Sequence, residues 1–217
     1  MVSGMIAQLD STGVVSPSGG NLSSNQVYAT PPRALRIITL PGPVGRLEAL
    51  LNEGAPDAPF AALVCHPHPA GGGNLHSKVV YHAMKVMNDP AWGFRWPTLR
   101  FNFRGTGLSQ GAHHGNAESD DVEAALAWLQ SEFQRPMVVA GFSFGAVMAL
   151  KAFCVGKPAA EVRALALLGL PTRFQGREIP YPFLANCALP KLFLSGDNDE
   201  FAPAVDLMQV VESAREP

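Results

Sequence analysis

The stretch Arg135-Pro-Met-Val-Val-Ala-Gly-Phe-Ser-Phe-Gly-Ala-Val-Met-Ala-Leu150 decides the fold. Met137 to Ala140 is a short apolar run of the kind that forms a buried parallel strand, and beyond Gly141 helix formers take over with apolar residues on one face. Ser143 stands at the join. Gly141-Phe142-Ser143-Phe144-Gly145 reads G-x-S-x-G, in which the flanking glycines let strand, sharp turn and helix pack closely while the serine sits on a strained backbone with its Oγ exposed. The competing reading is a glycine-rich strand-to-helix turn whose serine merely caps the helix. Only the rest of the chain can choose between the two.

Upstream, Ser119 to Phe133 has the spacing of a helix, with Asp120, Asp121 and Glu123 crowding the first turn, where the helix dipole favours anions, and Val122, Ala125, Leu126 and Leu129 forming an apolar stripe. It reads as a crossover helix with no chemistry of its own. Pro97 to Phe103 is strand-like and ends in Arg104-Gly105-Thr106-Gly107-Leu108-Ser109. Phe60 to Cys65 is another apolar run, halted by His66-Pro67-His68-Pro69-Ala70-Gly71-Gly72-Gly73, and Leu75 to Met87 has helical spacing. Ala34 to Leu40 and Arg46 to Leu51 flank the turn signal Pro41-Gly-Pro-Val-Gly45 and predict an opening hairpin. Met1 to Pro32 is rich in Ser, Gly, Asn and Thr without either period, which predicts a disordered or loosely attached leader before a single domain over 33–217.

Downstream, Val162 to Leu168 and Pro190 to Leu194 read as two further buried strands, the second leading into Ser195-Gly-Asp-Asn-Asp-Glu-Phe-Ala-Pro203. Residues 171–188 between them are too few for a large cap and are expected to line an acyl or alcohol pocket. Val205 to Ala214 is a last helix. Strands alternating with helices in this way predict an α/β architecture around a mostly parallel sheet.

A chain of 217 residues, 47% of them hydrophobic, has apolar material for one sizeable core and too little length for two full domains. A net charge of -2 without a run of Lys or Arg argues against a nucleic-acid surface, and no apolar run reaches the roughly 18 to 20 residues of a membrane helix. No secretory signal is visible, and three cysteines, Cys65, Cys154 and Cys187, lack any C-x-x-C or Cys/His pattern. Reduced core thiols in a cytoplasmic protein are expected, with no disulfide scaffold and no zinc. No Gly-Lys-Ser/Thr follows Gly71 to Gly73, so no nucleotide cofactor is expected; His66-x-His68 lacks nearby Asp or His partners for a metal.

In parallel sheets the reactive site lies outside the carboxyl ends of the strands. The His66 to Gly73 loop, the Arg104 to Ser109 turn, Ser143, and Asp197 to Pro203 all fall there. A serine hydroxyl needs a base to take its proton and aligned donors for the oxyanion it forms. The N–H after the nucleophile belongs to Phe144; in the earlier loop Pro67 and Pro69 have none, which leaves His68 as second donor with Ala70 behind it.

These motifs, in this order, resemble the α/β-hydrolase superfamily, and within it the small capless bacterial serine hydrolases with an H-P-H-P-x-G-G loop, related to dienelactone hydrolase-like esterases. The resemblance covers about Leu35 to Pro203. It implies Ser143 as nucleophile, Phe144 and His68 as oxyanion hole, and Asp199 as acid, with Asp197 the alternative and a solvated turn carboxylate the bland reading of either. It also implies a small ester-like substrate, an acyl-enzyme, and neither cofactor nor metal.

One departure stands out. The family's order is Ser, acid, His, yet all six histidines, His66, His68, His76, His82, His113 and His114, precede Ser143. The chain therefore reads as lacking the family's last strand, histidine loop and closing helix, and as an impaired enzyme, since loss of a triad histidine can lower kcat on the order of a million-fold. His68 is expected to serve through its backbone, His113 and His114 to lie in a solvated loop, and His76 and His82 on or near a helix face. The alternative is a catalytically inactive hydrolase-like binding or interaction protein, in which an exposed edge at Leu192 to Leu194 would favour self-association.

Overall fold

The computed structural model describes residues 34–156 and 161–216, so the leader expected over Met1 to Pro32 lies outside the described residues. The hairpin forms first: β1 (Leu35–Gly42) pairs antiparallel with β2 (Gly45–Asn52), the strands running further into the turn than the proline and glycine content suggested. Then come β3 (Ala61–Cys65), α1 (Lys78–Asn88), β4 (Thr98–Phe101), α2 (Ser119–Phe133), β5 (Met137–Phe142), α3 (Phe144–Leu150) and β6 (Val162–Leu168). A small hairpin, β7 (Arg173–Phe174) with β8 (Arg177–Glu178), precedes β9 (Lys191–Leu194) and α4 (Ala204–Ser213). No strand period marks β7 and β8, and the sequence reading missed them.

The main sheet has the order β1-β2-β4-β3-β5-β6-β9, antiparallel at its β1 and β2 end and parallel from β4 to β9. The mostly parallel sheet flanked by helices is the expected α/β-hydrolase architecture. Alternation along the strands feeds two layers. Leu63, Cys65, Val139, Leu165 and Leu167 join the core under α2 and α3, where Val122, Ala125, Leu126 and Leu129 are fully buried; Val64, Ala140 and Ala166 face Val80 and Met84 of α1. Full burial of a leucine side chain contributes about 2 kcal/mol, so the four-residue stripe of α2 outweighs the modest propensity of its aromatic and polar positions.

This topology creates a crevice. From β3 the chain leaves towards α1 on one face and reaches β4, then crosses by α2 to β5 on the other side of β3, whence it leaves for α3 on the opposite face. The loops after β3 and β5 thus diverge, and the gap between them is the topological switch point where parallel sheets bind ligands.

Two expectations need correction. Cys154 and Cys187 form a disulfide, leaving Cys65 as the free, buried thiol, so the reading of three reduced thiols does not hold. The two cysteines are 33 residues apart in sequence, and only the packing of the π-helical turn Lys151–Val155 against the loop after Pro182–Asn186 brings their Cα atoms to 5.0 Å. Nor is β9 a buried strand. Among the described residues it pairs with β6 alone, and Leu192 and Leu194 are each 59% exposed along the edge.

Candidate active site

Ser143 occupies the single residue between β5 and α3, with φ 52° and ψ −115°, a left-handed conformation that costs a non-glycine residue on the order of 1 to 3 kcal/mol. Its N–H donates to Leu168 O at 2.9 Å and its carbonyl accepts from Ala146 N and Val147 N, which over-determine the turn. The side chain makes no capping hydrogen bond to the helix, so the bland reading of Ser143 as an N-cap does not describe this turn. Close packing explains the glycines. A Cβ on Gly141 would stand 2.4 Å from Gly145 O, and one on Gly145 would stand 2.4 Å from Cys65 O and 2.6 Å from His66 O. Gly145 therefore sets α3 directly on the end of β3.

The loop after β3 is tightly tied. Gly71 N and Gly73 N both donate to His68 O, and a Cβ on Gly73 would fall 2.2 Å from Pro67 O. His66 is fully buried, donates through Nδ1 to Pro67 O at 2.6 Å and accepts Phe103 N–H on Nε2 at 3.0 Å, stapling the loops after β3 and β4 together. His68 N–H has no acceptor among the described residues, and Phe144 N–H belongs to the first turn of α3, where no intrahelical acceptor exists. Ala70 N–H is taken by His68 Nδ1 at 3.1 Å, which removes it as the reserve donor expected from sequence.

Of the two candidate acids, Asp199 is the anchored one. Its Oδ1 accepts from Phe201 N at 2.9 Å and Ala202 N at 3.2 Å, and Ser195 Oγ donates to Oδ2 at 3.2 Å. A Cβ on Gly169 would lie 3.3 Å from Asp199 Oδ2 and 2.9 Å from the Phe142 ring, which sets the carboxylate at the end of β6, beside the residue preceding Ser143. Asp197 is exposed, and Asn198 Nδ2 donates to its Oδ1 at 3.4 Å.

A cleft of about 610 Å³ opens between the loops after β3 and β4, lined by residues that include Glu48, Gly73, His76, Asn102 and Thr106. Ser143 does not border it, because β4 and β5 lie on opposite sides of β3, and none of residues 171–188, expected to line a pocket, borders it either.

No protein-family model matches the chain. Over 174 residues it is 38% identical to an uncharacterized protein of Rickettsia prowazekii, covering 78% of this chain and 69% of that one. Among solved structures it is 31% identical to an α/β serine hydrolase without lid from Xanthomonas campestris, over 85% of this chain and 81% of that chain, with a TM-score of 0.68. An α/β serine hydrolase homologue from Coxiella burnetii is 32% identical over 84% of this chain and 83% of that one, with a TM-score of 0.73. The chain belongs to the α/β-hydrolase superfamily. A dienelactone hydrolase from Anabaena variabilis, 16% identical over 85% of this chain and 82% of that one with a TM-score of 0.66, shares the fold.

Within this α/β hydrolase, sequence reasoning missed the groups around the proposed serine. His113 is not in a solvated loop: its side chain is 21% exposed, its ring lies edge-on to Phe144 with centroids 5.2 Å apart, and its Nε2 is 3.4 Å from His68 Nε2. Behind it Glu118, fully buried, accepts His114 N–H at 2.6 Å and Gly115 N–H at 3.1 Å on Oε1. Burial pushes the Glu118 carboxyl up, but these N–H groups and the charge of His113 outweigh it and hold the pKa below its ordinary value. Besides serving as the crossover, α2 carries one member of a buried ion pair. Asp121 is buried and forks with the buried Arg104 at 2.7 to 3.0 Å, also accepting Arg104 N–H at 2.9 Å. The acidic start of α2 was the available signal: the helix dipole accounts for acidity there, but Asp121 of the first turn and Glu118 just before the helix also hold the loop after β4.

Among the described residues no helix is long and apolar enough to cross a membrane, and no group of three or more His, Cys, Asp or Glu side chains could hold a metal ion.

Proposed function

We propose that this α/β hydrolase is a serine hydrolase of esterase type that works through an acyl-enzyme on small ester-like substrates, without cofactor or metal. The observation that carries the reading is Ser143 itself, held at φ 52° on the strand-to-helix join with an Oγ that caps nothing, which supports its assignment as the serine of a nucleophile elbow. Phe144 N–H and His68 N–H supply the oxyanion hole, and Asp199, tethered at the end of β6, supplies the carboxylate. The superfamily's histidine base has no counterpart after Ser143 in these 217 residues, so slow turnover is expected of them.

The placement of all six histidines before Ser143 motivates a second reading, a hydrolase-like binding or interaction protein without catalysis. A fluorophosphonate probe separates the two: covalent labelling that is abolished in Ser143→Ala is expected, and a wild-type chain that takes no label would sink the hydrolase reading. The open edge of β9, with Leu192 and Leu194 exposed, is expected to favour self-association; a strict monomer by light scattering at high concentration would contradict this. The cytoplasmic placement expected from the cysteine pattern stands against the Cys154–Cys187 disulfide, and thiol trapping of the protein in a cytosolic extract decides it.

A further inference from the structure

Glu118, His113 and His68 form a line from the start of α2 to the mouth of the proposed site, and the chemistry of each ring dictates that of the next. His68 Nδ1 accepts Ala70 N–H, so the neutral ring carries its proton on Nε2. That nitrogen faces His113 Nε2 at 3.4 Å, which must then accept, placing the proton of His113 on Nδ1. Nδ1 of His113 lies 2.9 Å from Glu118 Oε1, so its N–H dipole faces the carboxylate, off the line of an ideal hydrogen bond. Both rings rest edge-on against Phe144, at 5.0 and 5.2 Å between centroids, next in sequence to Ser143.

This order of protons disposes of two other roles. His68 cannot act as the missing base while both its nitrogens are engaged. Two Nε2 atoms 3.4 Å apart would suit one metal ion only if His68 gave up its Nε2 proton, and moving that proton to Nδ1 would set it against Ala70 N–H.

We propose that Glu118 and His113 are positioning residues that hold His68 as the neutral Nε2–H tautomer and so hold its backbone N–H at the mouth of the site. The tautomer chain stands by itself; the use of that N–H as an oxyanion donor rests on the serine-hydrolase reading. A second proton on His68 would set Nδ1–H against Ala70 N–H and undo the cap of the Pro69–Gly71 turn, so the site is assembled when His68 is neutral. The titratable groups bearing on it are His66 from its own loop and His113 and Glu118 from the loop before α2, while α3 presents the apolar Phe144 ring. Burial first, then the charge of His113, holds the His68 pKa below its ordinary value, with Glu118 opposing.

The test is imidazole ¹⁵N NMR of the full chain between about pH 5 and 8, where histidines titrate, with fluorophosphonate labelling of wild type, His113→Leu and His113→Gln. In the wild type, His68 is expected as Nε2–H and His113 as Nδ1–H. In His113→Leu, His68 should titrate closer to the ordinary histidine range and labelling should slow by about ten- to a hundredfold, the scale of a misplaced supporting group. His113→Gln, whose carboxamide oxygen can accept from His68 Nε2–H, should recover most of the rate. A wild-type His68 protonated on Nδ1, a His68 titration unchanged in His113→Leu, or equal losses in the Leu and Gln variants would overturn the proposal; the first needs no variant to fold. A wild type with the stated tautomers that takes no label would refute the serine-hydrolase reading and leave the tautomer chain standing.

Discussion

Acidification should destabilise this fold through one buried imidazole. His66 has no exposed surface, its Nδ1–H donates to Pro67 O, and its Nε2 accepts Phe103 N–H. A second proton on Nε2 would point at that N–H, donor against donor, in a pocket walled by the Phe103 ring. Burial, aided by the charges of His113 and His68 and opposed by the bond to Pro67 O, pulls the folded pKa from 6.5 to about 4. The unfolded chain therefore takes up the proton first as pH falls. The contribution is complete above about pH 6.5, is lost between there and about pH 4, and changes no further below. A shift from 6.5 to about 4 corresponds to about 3 kcal/mol at 1.36 kcal/mol per pH unit. Other groups titrate in the same window, so the informative quantity is a difference between two chains. His66→Gln keeps an acceptor for Phe103 N–H and cannot titrate. Urea unfolding at pH 7 and pH 4 should show the wild type losing about 2 to 3 kcal/mol more than the variant. Equal losses in the two chains, or an NMR midpoint for His66 near 6.5 in the folded wild type, would refute the argument; the second measurement stands even if the variant folds poorly.

Two further outcomes follow from packing and cross-linking. Gly145→Ala puts a methyl group 2.4 Å from Cys65 O, backbone that cannot rotate away, so thermal unfolding should report a loss of at least about 2 kcal/mol and fluorophosphonate labelling of Ser143 should fall with it. Reduction of Cys154–Cys187, which closes a separation of 33 residues, should lower the unfolding free energy by about 3 to 4 kcal/mol on the chain-entropy account, measured by urea titration with and without a thiol reductant.

Local periodicity made most of the fold legible. Ser119 to Phe133 and Val162 to Leu168 coincide with α2 and β6, because an apolar stripe or a mostly apolar run announces its own partner face. The G-x-S-x-G turn was equally readable as a motif; Gly141 answers a steric demand within five residues of chain, whereas the demand for Gly145 comes from Cys65 O and His66 O at the end of β3. The prolines likewise singled out His68 in the loop after β3, whose N–H has no acceptor among the described residues.

What the tertiary structure decided were pairings between residues distant in sequence. Asp199 differs from Asp197 because two N–H groups and Ser195 Oγ reach it at the end of β6, a difference invisible in the motif they share. His113 and Glu118 met His68 only because the crossover through α2 carries the loop after β4 back over β3 and β5. Cys154 meeting Cys187, Arg104 meeting Asp121 and the edge position of β9 are likewise matters of tertiary packing and strand order. A sequence states what each segment can bury or donate; which donors and acceptors share one end of a sheet follows from strand order, and strand order is set by the crossovers.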